Sequence, residues 1–107
     1  DMTVTIQNRY STGSIVRALF AGGAGPSDVI DYVTMDTAGN ATDFGDLTVA
    51  RQEPSAASNA VRATIAGGYV SSMLNTIDYV TIDTTGNATD FGDLTVARKG
   101  LAGLSGT

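Results

Sequence analysis

The chain contains no cysteine, no histidine and no tryptophan among its 107 residues. Without cysteine, no disulfide framework is possible. Without histidine and cysteine, Ser–His–Asp and Cys–His catalysis and histidine-based zinc sites are excluded within this chain. We therefore predict that the protein is not an enzyme and that it needs no cofactor.

Charge is also scarce. Only 16% of the residues are charged, and six Lys and Arg against 11 Asp and Glu give a net charge of −5. The basic residues are scattered, so a surface that follows nucleic-acid phosphates is not expected. The longest apolar run is far too short to cross a bilayer, so no membrane partner is predicted either.

What the chain does have is an internal repeat. Residues 30–51 read IDYVTMDTAGNATDFGDLTVAR, and residues 77–98 read IDYVTIDTTGNATDFGDLTVAR, at an offset of 47. The two blocks differ only at Met35/Ile82 and Ala38/Thr85. Near-identity at a fixed period indicates an architecture in which each unit buries its faces against neighbouring copies.

The repeat extends beyond these blocks. The segment that begins with Asp46-Leu-Thr-Val recurs at Asp93 and, as Asp-Met-Thr-Val, at Asp1. We therefore divide a single repeat region, 1–107, into repeat 1 (1–45), repeat 2 (46–92) and a partial repeat 3 (93–107). Repeat arrays end in atypical capping units. Because neither end resembles one, we expect an excerpt of a longer array, or an array that other chains complete.

The pattern within each repeat predicts short strands. Segments 17–21 and 62–66 read as strands that end at a glycine pair, and 76–83 is apolar on both faces, as expected of a strand between two sheets. Turn chemistry at 84–87 precedes a strand expected over 88–96, and the small residues at 54–59 and 100–105 suggest two more strands. Helix is not supported, because glycine recurs too often.

Four short strands per 47 residues match the blades of a β-propeller. The predicted fold is all-β, with about two four-stranded antiparallel blades and partial flanking strands in a larger ring. A β-solenoid of the parallel β-helix type is the alternative.

The order of these elements resembles that of kelch-type propeller blades. Gly22-Gly23 and Gly67-Gly68 match the kelch double glycine, and Arg51 and Arg98 match its arginine. Phe44 and Phe91 are the aromatic residues nearest to the kelch tryptophan position. The segment TGNATDFGDLTVAR is similar to repeats in virion proteins of marine and cyanobacterial phages. This resemblance implies a structural or adhesive part of a phage particle, such as a fibre or head decoration, in the virion or outside the cell.

Two sets of polar residues are candidates for sites. The oxygen-rich turn segments suggest a weak calcium site, whereas the plainer interpretation is turn hydrogen bonding; the carboxylates concerned are Asp36, Asp43, Asp83 and Asp90. An aspartate in each central strand, with arginines at fixed places, suggests a buried ion pair between strands or, less favoured, a ring of charges for a ligand; these are Asp31, Asp78, Arg17, Arg62, Arg51 and Arg98.

Repeated aromatic residues favour core packing between blades over sugar stacking; they are Tyr32, Tyr79, Phe44 and Phe91. One loop, 69–76, occurs in a single repeat and is the better candidate for a partner or ligand contact, through Tyr69, Val70, Met73 and Leu74. The sequence thus predicts a structural module that binds other protein chains, by self-association or within a larger propeller or virion. The alternative is a propeller lectin that recognises glycans of a host surface.

Overall fold

The computed structural model describes residues 16–105, which form seven β-strands and no helix. The predicted all-β class is confirmed for this part of the chain. The copy of the repeat that begins at Asp1, as far as residue 15, and the last two residues of the partial repeat lie outside the described residues. Within residues 16–105, no helix has the length and hydrophobicity needed to cross a membrane.

The strands form two open antiparallel sheets. The first sheet has the order β1-β2-β3, with β1 at Arg17–Ala21, β2 at Ser27–Thr34 and β3 at Thr42–Arg51. The second has the order β4-β5-β6-β7, with strands at Ser55–Ser58, Arg62–Ala66, Thr76–Thr81 and Thr89–Asp93. Rungs of a parallel β-helix pair in parallel, so the antiparallel ladders argue against that alternative.

The two copies of the repeat have the same register. Arg17 lies opposite Thr34 in the first sheet, and Arg62 lies opposite Thr81 in the second. The ladders β2–β3 and β6–β7 each shift by one residue at the phenylalanine, which has no partner on the neighbouring strand. This is a β-bulge, and its recurrence shows that the repeated sequence specifies it.

The hydrophobic core lies between the two sheets. The first sheet buries Ile30, Phe44 and Leu47, and the second buries Ala63, Ile65 and Val80. Neither sheet encloses a core of its own, as expected of repeats that gain stability by stacking.

The chain passes from one sheet to the next through residues 52–54, which join β3 to the edge strand β4. The sheet boundary therefore falls after Arg51, whereas the sequence repeat divides at 45/46. Because β3 crosses that division, its second half is the part of repeat 2 that stays in the first sheet.

Two predicted strands differ in the structure. β7 ends at Asp93, short of the predicted 88–96, because the residues that follow do not continue the ladder with β6; Leu94 and Arg98 make single backbone hydrogen bonds to Asn75 and Leu74. Residues 100–105 are not a strand, since no second strand of the described chain pairs with them. They pack on β4 instead, where a Cβ on Gly103 would lie 2.6 Å from the Ala56 carbonyl oxygen.

Candidate functional site

The most constrained polar contact joins the two sheets. Arg51, at the end of β3, places a guanidinium nitrogen 2.9 Å from the carboxylate of Asp78 in β6, and both side chains are fully buried. The other two guanidinium nitrogens of Arg51 donate to backbone carbonyls. Nε donates to Val49 at 3.1 Å, and the second terminal nitrogen donates to Ile65 at 3.4 Å. The predicted buried ion pair is thus confirmed for Asp78, and it links the first sheet to the second.

The carboxylate of Asp78 is also bound from the β3 side by Thr48. The Thr48 backbone N–H donates to one carboxylate oxygen at 2.9 Å, and its hydroxyl donates to the other at 2.7 Å. Burial lowers the pKa of the Arg51 guanidinium, and the adjacent Asp78 carboxylate opposes that shift. We call Thr48, Arg51 and Asp78 the ion-pair site. Its charges are satisfied within the protein, so nothing in it is left to act on a substrate.

The double glycine positions the arginine. The N–H of Gly23 donates to the carbonyl of Arg51 at 3.0 Å. Gly22 has φ +77°, and a Cβ there would lie 2.9 Å from the same carbonyl oxygen. A side chain is therefore excluded at the point where the backbone of Arg51 passes. In the second copy, Gly68 donates to the carbonyl of Arg98 at 2.9 Å.

A turn of the second repeat binds along the edge of β3. The Gly86 N–H donates to the carbonyl of Phe44 at 2.9 Å, and the Ala88 N–H donates to that of Asp46 at 2.8 Å. The Asp46 N–H in turn donates to the side-chain oxygen of Asn87 at 3.1 Å. We call residues 84–88 the docking turn. Three hydrogen bonds thus attach it to β3 of the first sheet, so the turn motif makes an interface between the two sheets.

The predicted core packing of the repeated aromatic residues is confirmed for Phe44, which is buried, and is wrong for its copy Phe91, which is exposed. Tyr32 meets Phe44 edge-on at 5.8 Å between ring centroids, and Tyr79 meets Phe91 in the same way. Arginine guanidinium groups cover the tyrosine rings, Arg17 at 4.3 Å and Arg62 at 4.5 Å. These tyrosine faces are occupied by protein groups, which leaves the sugar-stacking interpretation without support.

The loop predicted to contact a partner is held against the protein. Tyr69 exchanges two backbone hydrogen bonds with Gln52, and Lys99 lies 4.9 Å above its ring. Val70 and Leu74 are half-buried. Only Met73 of the four named residues is exposed, at 51%.

The proposed calcium ligands are not brought together. Among residues 16–105, no three acidic side chains are grouped so that they could hold a metal ion. Asp36 and Asp83 each accept a hydrogen bond from the side-chain hydroxyl of the next threonine, Thr37 and Thr84, rather than from the turn backbone as the turn interpretation predicted.

Sequence reasoning missed Thr48 and the docking turn. Thr48 recurs as Thr95, but threonine is too common in this chain for its repetition to mark a contact. The composition of the turn predicts only a reversal of the chain direction. The near-identity of its two copies is the one signal that the turn also makes contacts outside its own hairpin. In the comparisons with known proteins, no family model and no curated protein matches this chain.

Proposed function

We propose that the chain is a non-catalytic structural module, built of kelch-like β-propeller blades, that serves as a rigid scaffold in a phage particle. A fibre or a head decoration is the setting that the sequence resemblance suggests, in the virion or outside the cell. In this role the protein binds other protein chains, and it needs neither a cofactor nor nucleic acid.

The arrangement of the second sheet supports its interpretation as a propeller blade. Its strands neighbour one another in chain order, and residues 52–54 lead from the last strand of the first sheet to the first strand of the second. A propeller has this connection at every step from blade to blade. The close approach of Gly103 to Ala56 also fits the crowded inner edge of such an assembly.

One observation carries the structural role. The charged pair that recurs in the repeat is fully buried between sheets at Arg51 and Asp78, where it fixes how one sheet sits on the next. A charge ring for a ligand would keep such groups accessible to solvent. The buried charged pair therefore supports a role in holding the sheets together rather than in binding a ligand.

The direct test is to locate the chain in its native source. Lysate fractionated by sedimentation is probed with an antibody against the chain, and labelled fractions are imaged by electron microscopy. The expected result is a particle that carries many symmetrically arranged copies. Recovery of the chain only as a free monomer, with no particle labelled, would refute the scaffold function.

Glycan recognition is the competing function, and a glycan array separates it from the scaffold. Because Lys99 covers Tyr69 and arginines cover the repeated tyrosine rings, we expect no saturable glycan binding. A glycan whose binding is lost in Tyr69→Ala but kept in the control Met73→Ser would favour the lectin.

A further inference from the structure

Equivalent residues of the two repeats differ sharply in burial. Phe44 is 3% exposed, because the docking turn covers it, whereas its copy Phe91 is 54% exposed. Arg51 is fully buried, and its copy Arg98 is exposed. The outer edge of the second sheet therefore carries the same groups that bind a repeat inside the chain, with no repeat covering them among residues 16–105.

This edge is already shaped for binding. The bulge at Phe91 repeats the register of the bulge at Phe44, and Gly68 holds the Arg98 carbonyl as Gly23 holds that of Arg51. No heavy atom of residues 16–105 lies within 4 Å of a Cβ built on Gly92, whereas a Cβ at the equivalent Gly45 would meet the docking turn. We call Phe91, Gly92, Thr95 and Arg98 the arginine surface.

The complementary groups lie on the first sheet. Asp31 is half-buried and faces Asp43 across the ladder, as Asp78 faces Asp90. The exposed turn 37–41 repeats the docking turn with one substitution and closes with the same backbone hydrogen bond, Thr37 N–H to the Thr34 carbonyl. We call Asp31, Gly39, Asn40 and Ala41 the aspartate surface. Within residues 16–105, no cationic side chain lies within ion-pair distance of Asp31.

The chain's own first copy lacks the matching arginine. Aligning Asp1-Met-Thr-Val with Asp46-Leu-Thr-Val places Ile6 where Arg51 stands. Arg98 is the arginine at this position of the repeat that has no buried carboxylate opposite it in the described chain. Its charge complements that of Asp31, and the contact between Arg51 and Asp78 shows the geometry in which two such surfaces meet.

We propose that the arginine surface of one molecule binds the aspartate surface of another, head to tail. Arg98 and Thr95 bind Asp31 of the second copy, and turn 37–41 of that copy lies along the edge at Gly92. Such a contact uses different patches on the two partners, so it continues into a ring or a filament. This inference rests on the proposed scaffold function and names its partner, a second copy of this chain.

Sedimentation velocity of the 107-residue chain tests the contact. We expect association that increases with protein concentration, weakened at least about tenfold by Arg98→Met, because truncating one member of a buried charge pair raises dissociation. The control Lys99→Met changes the adjacent cation, which pairs with Glu53 at 3.5 Å, and is expected to associate as the unmodified chain does. A chain that stays monomeric throughout, or equal association of Arg98→Met, overturns the proposal.

Orientation is tested by cross-linking, for which the absence of native cysteine is useful. Asn40→Cys and Asp93→Cys chains are mixed and treated with a short bismaleimide. Asp46→Cys/Asn87→Cys in one chain is the positive control, because those positions are hydrogen-bonded. The expected main product joins the two different variants and is lost when Arg98→Met is added. Homodimers in equal or greater yield would refute the head-to-tail arrangement.

The scaffold function and the head-to-tail contact can be refuted independently of each other. If the chain is found in many copies in a particle but is held there by a different protein, the scaffold function stands and the head-to-tail contact is wrong. If no particle contains the chain, the scaffold function is wrong whatever the purified protein does.

Discussion

Arg51 lies 2.9 Å from Asp78, and this fully buried ion pair joins the last strand of one sheet to a central strand of the next. Removing two charges from water is costly, and the cost is recovered only where hydrogen bonds complete the pair. Here Thr48 and two backbone carbonyls complete it. The pair therefore determines how the sheets are placed, while the surrounding apolar residues supply the burial.

We predict that Arg51→Met strongly destabilises the protein. The substitution leaves the Asp78 carboxylate buried without its cation, a loss that typically costs about 3–5 kcal/mol. The copy Arg98→Met is the matched control, and we expect little change because that side chain is exposed. Urea denaturation of both variants under dilute conditions gives the two free energies of unfolding.

The double variant Arg51→Met/Asp78→Leu separates charge from packing. With both charges replaced by apolar groups, most of the lost stability should return. Equal unfolding midpoints for Arg51→Met and Arg98→Met would show that the ion pair does not hold the sheets together.

The sequence is sufficient to predict the all-β class, most of the strands and the residue types of the ion pair, because alternation and exact repetition are local signals. It does not show which arginine pairs with Asp78. Arg62, on the strand next to Asp78, is an equal candidate by sequence, but it covers Tyr79 instead. Only the stacking of one sheet on the next brings Arg51 to the carboxylate.

Two copies of the same sequence also make different contacts, because their positions in the array differ. The docking turn and turn 37–41 are nearly identical, but in the described chain only the docking turn lies against a strand of the other sheet. Similarly, the extra length of the loop at Tyr69 in one repeat predicts a surface loop that can contact a partner. Backbone hydrogen bonds to Gln52, which sequence patterns do not reveal, hold it against the protein.

A second prediction concerns the bulge glycines. Gly45 and Gly92 have nearly the same φ, +159° and +157°, so an alanine is equally strained at either position. At Gly45 its Cβ would also overlap the carbonyl group of Gly86, whereas the space at Gly92 is open. We expect Gly45→Ala to lower the free energy of unfolding by about 1–3 kcal/mol more than Gly92→Ala does. Thermal unfolding of the dilute variants measures this difference, and equal losses would contradict the close contact between Gly45 and the docking turn.

A third prediction concerns the asparagine of the turn. Asn87→Ala removes the side-chain acceptor of the Asp46 N–H, and we expect a loss of about 0.5–1.5 kcal/mol. Asn40→Ala makes the same change in the other copy, where the side chain has no hydrogen-bond partner among residues 16–105. The free energy of unfolding of Asn40→Ala should therefore equal that of the unmodified chain in dilute solution. If Asn40→Ala is as destabilising as Asn87→Ala, the two turns are equally bound and the asymmetry between the repeats is wrong.

The last prediction uses native-state hydrogen exchange to compare matched amides. The N–H groups of Gly86 and Ala88 are bonded to β3, and we expect them to exchange at least about tenfold more slowly than those of Gly39 and Ala41. Raising the protein concentration should slow the second pair selectively, because head-to-tail binding would give those amides the same partners. Arg98→Met should abolish that slowing and leave Gly86 and Ala88 protected. Protection of Gly39 and Ala41 that does not change with concentration would mean that no second copy binds there.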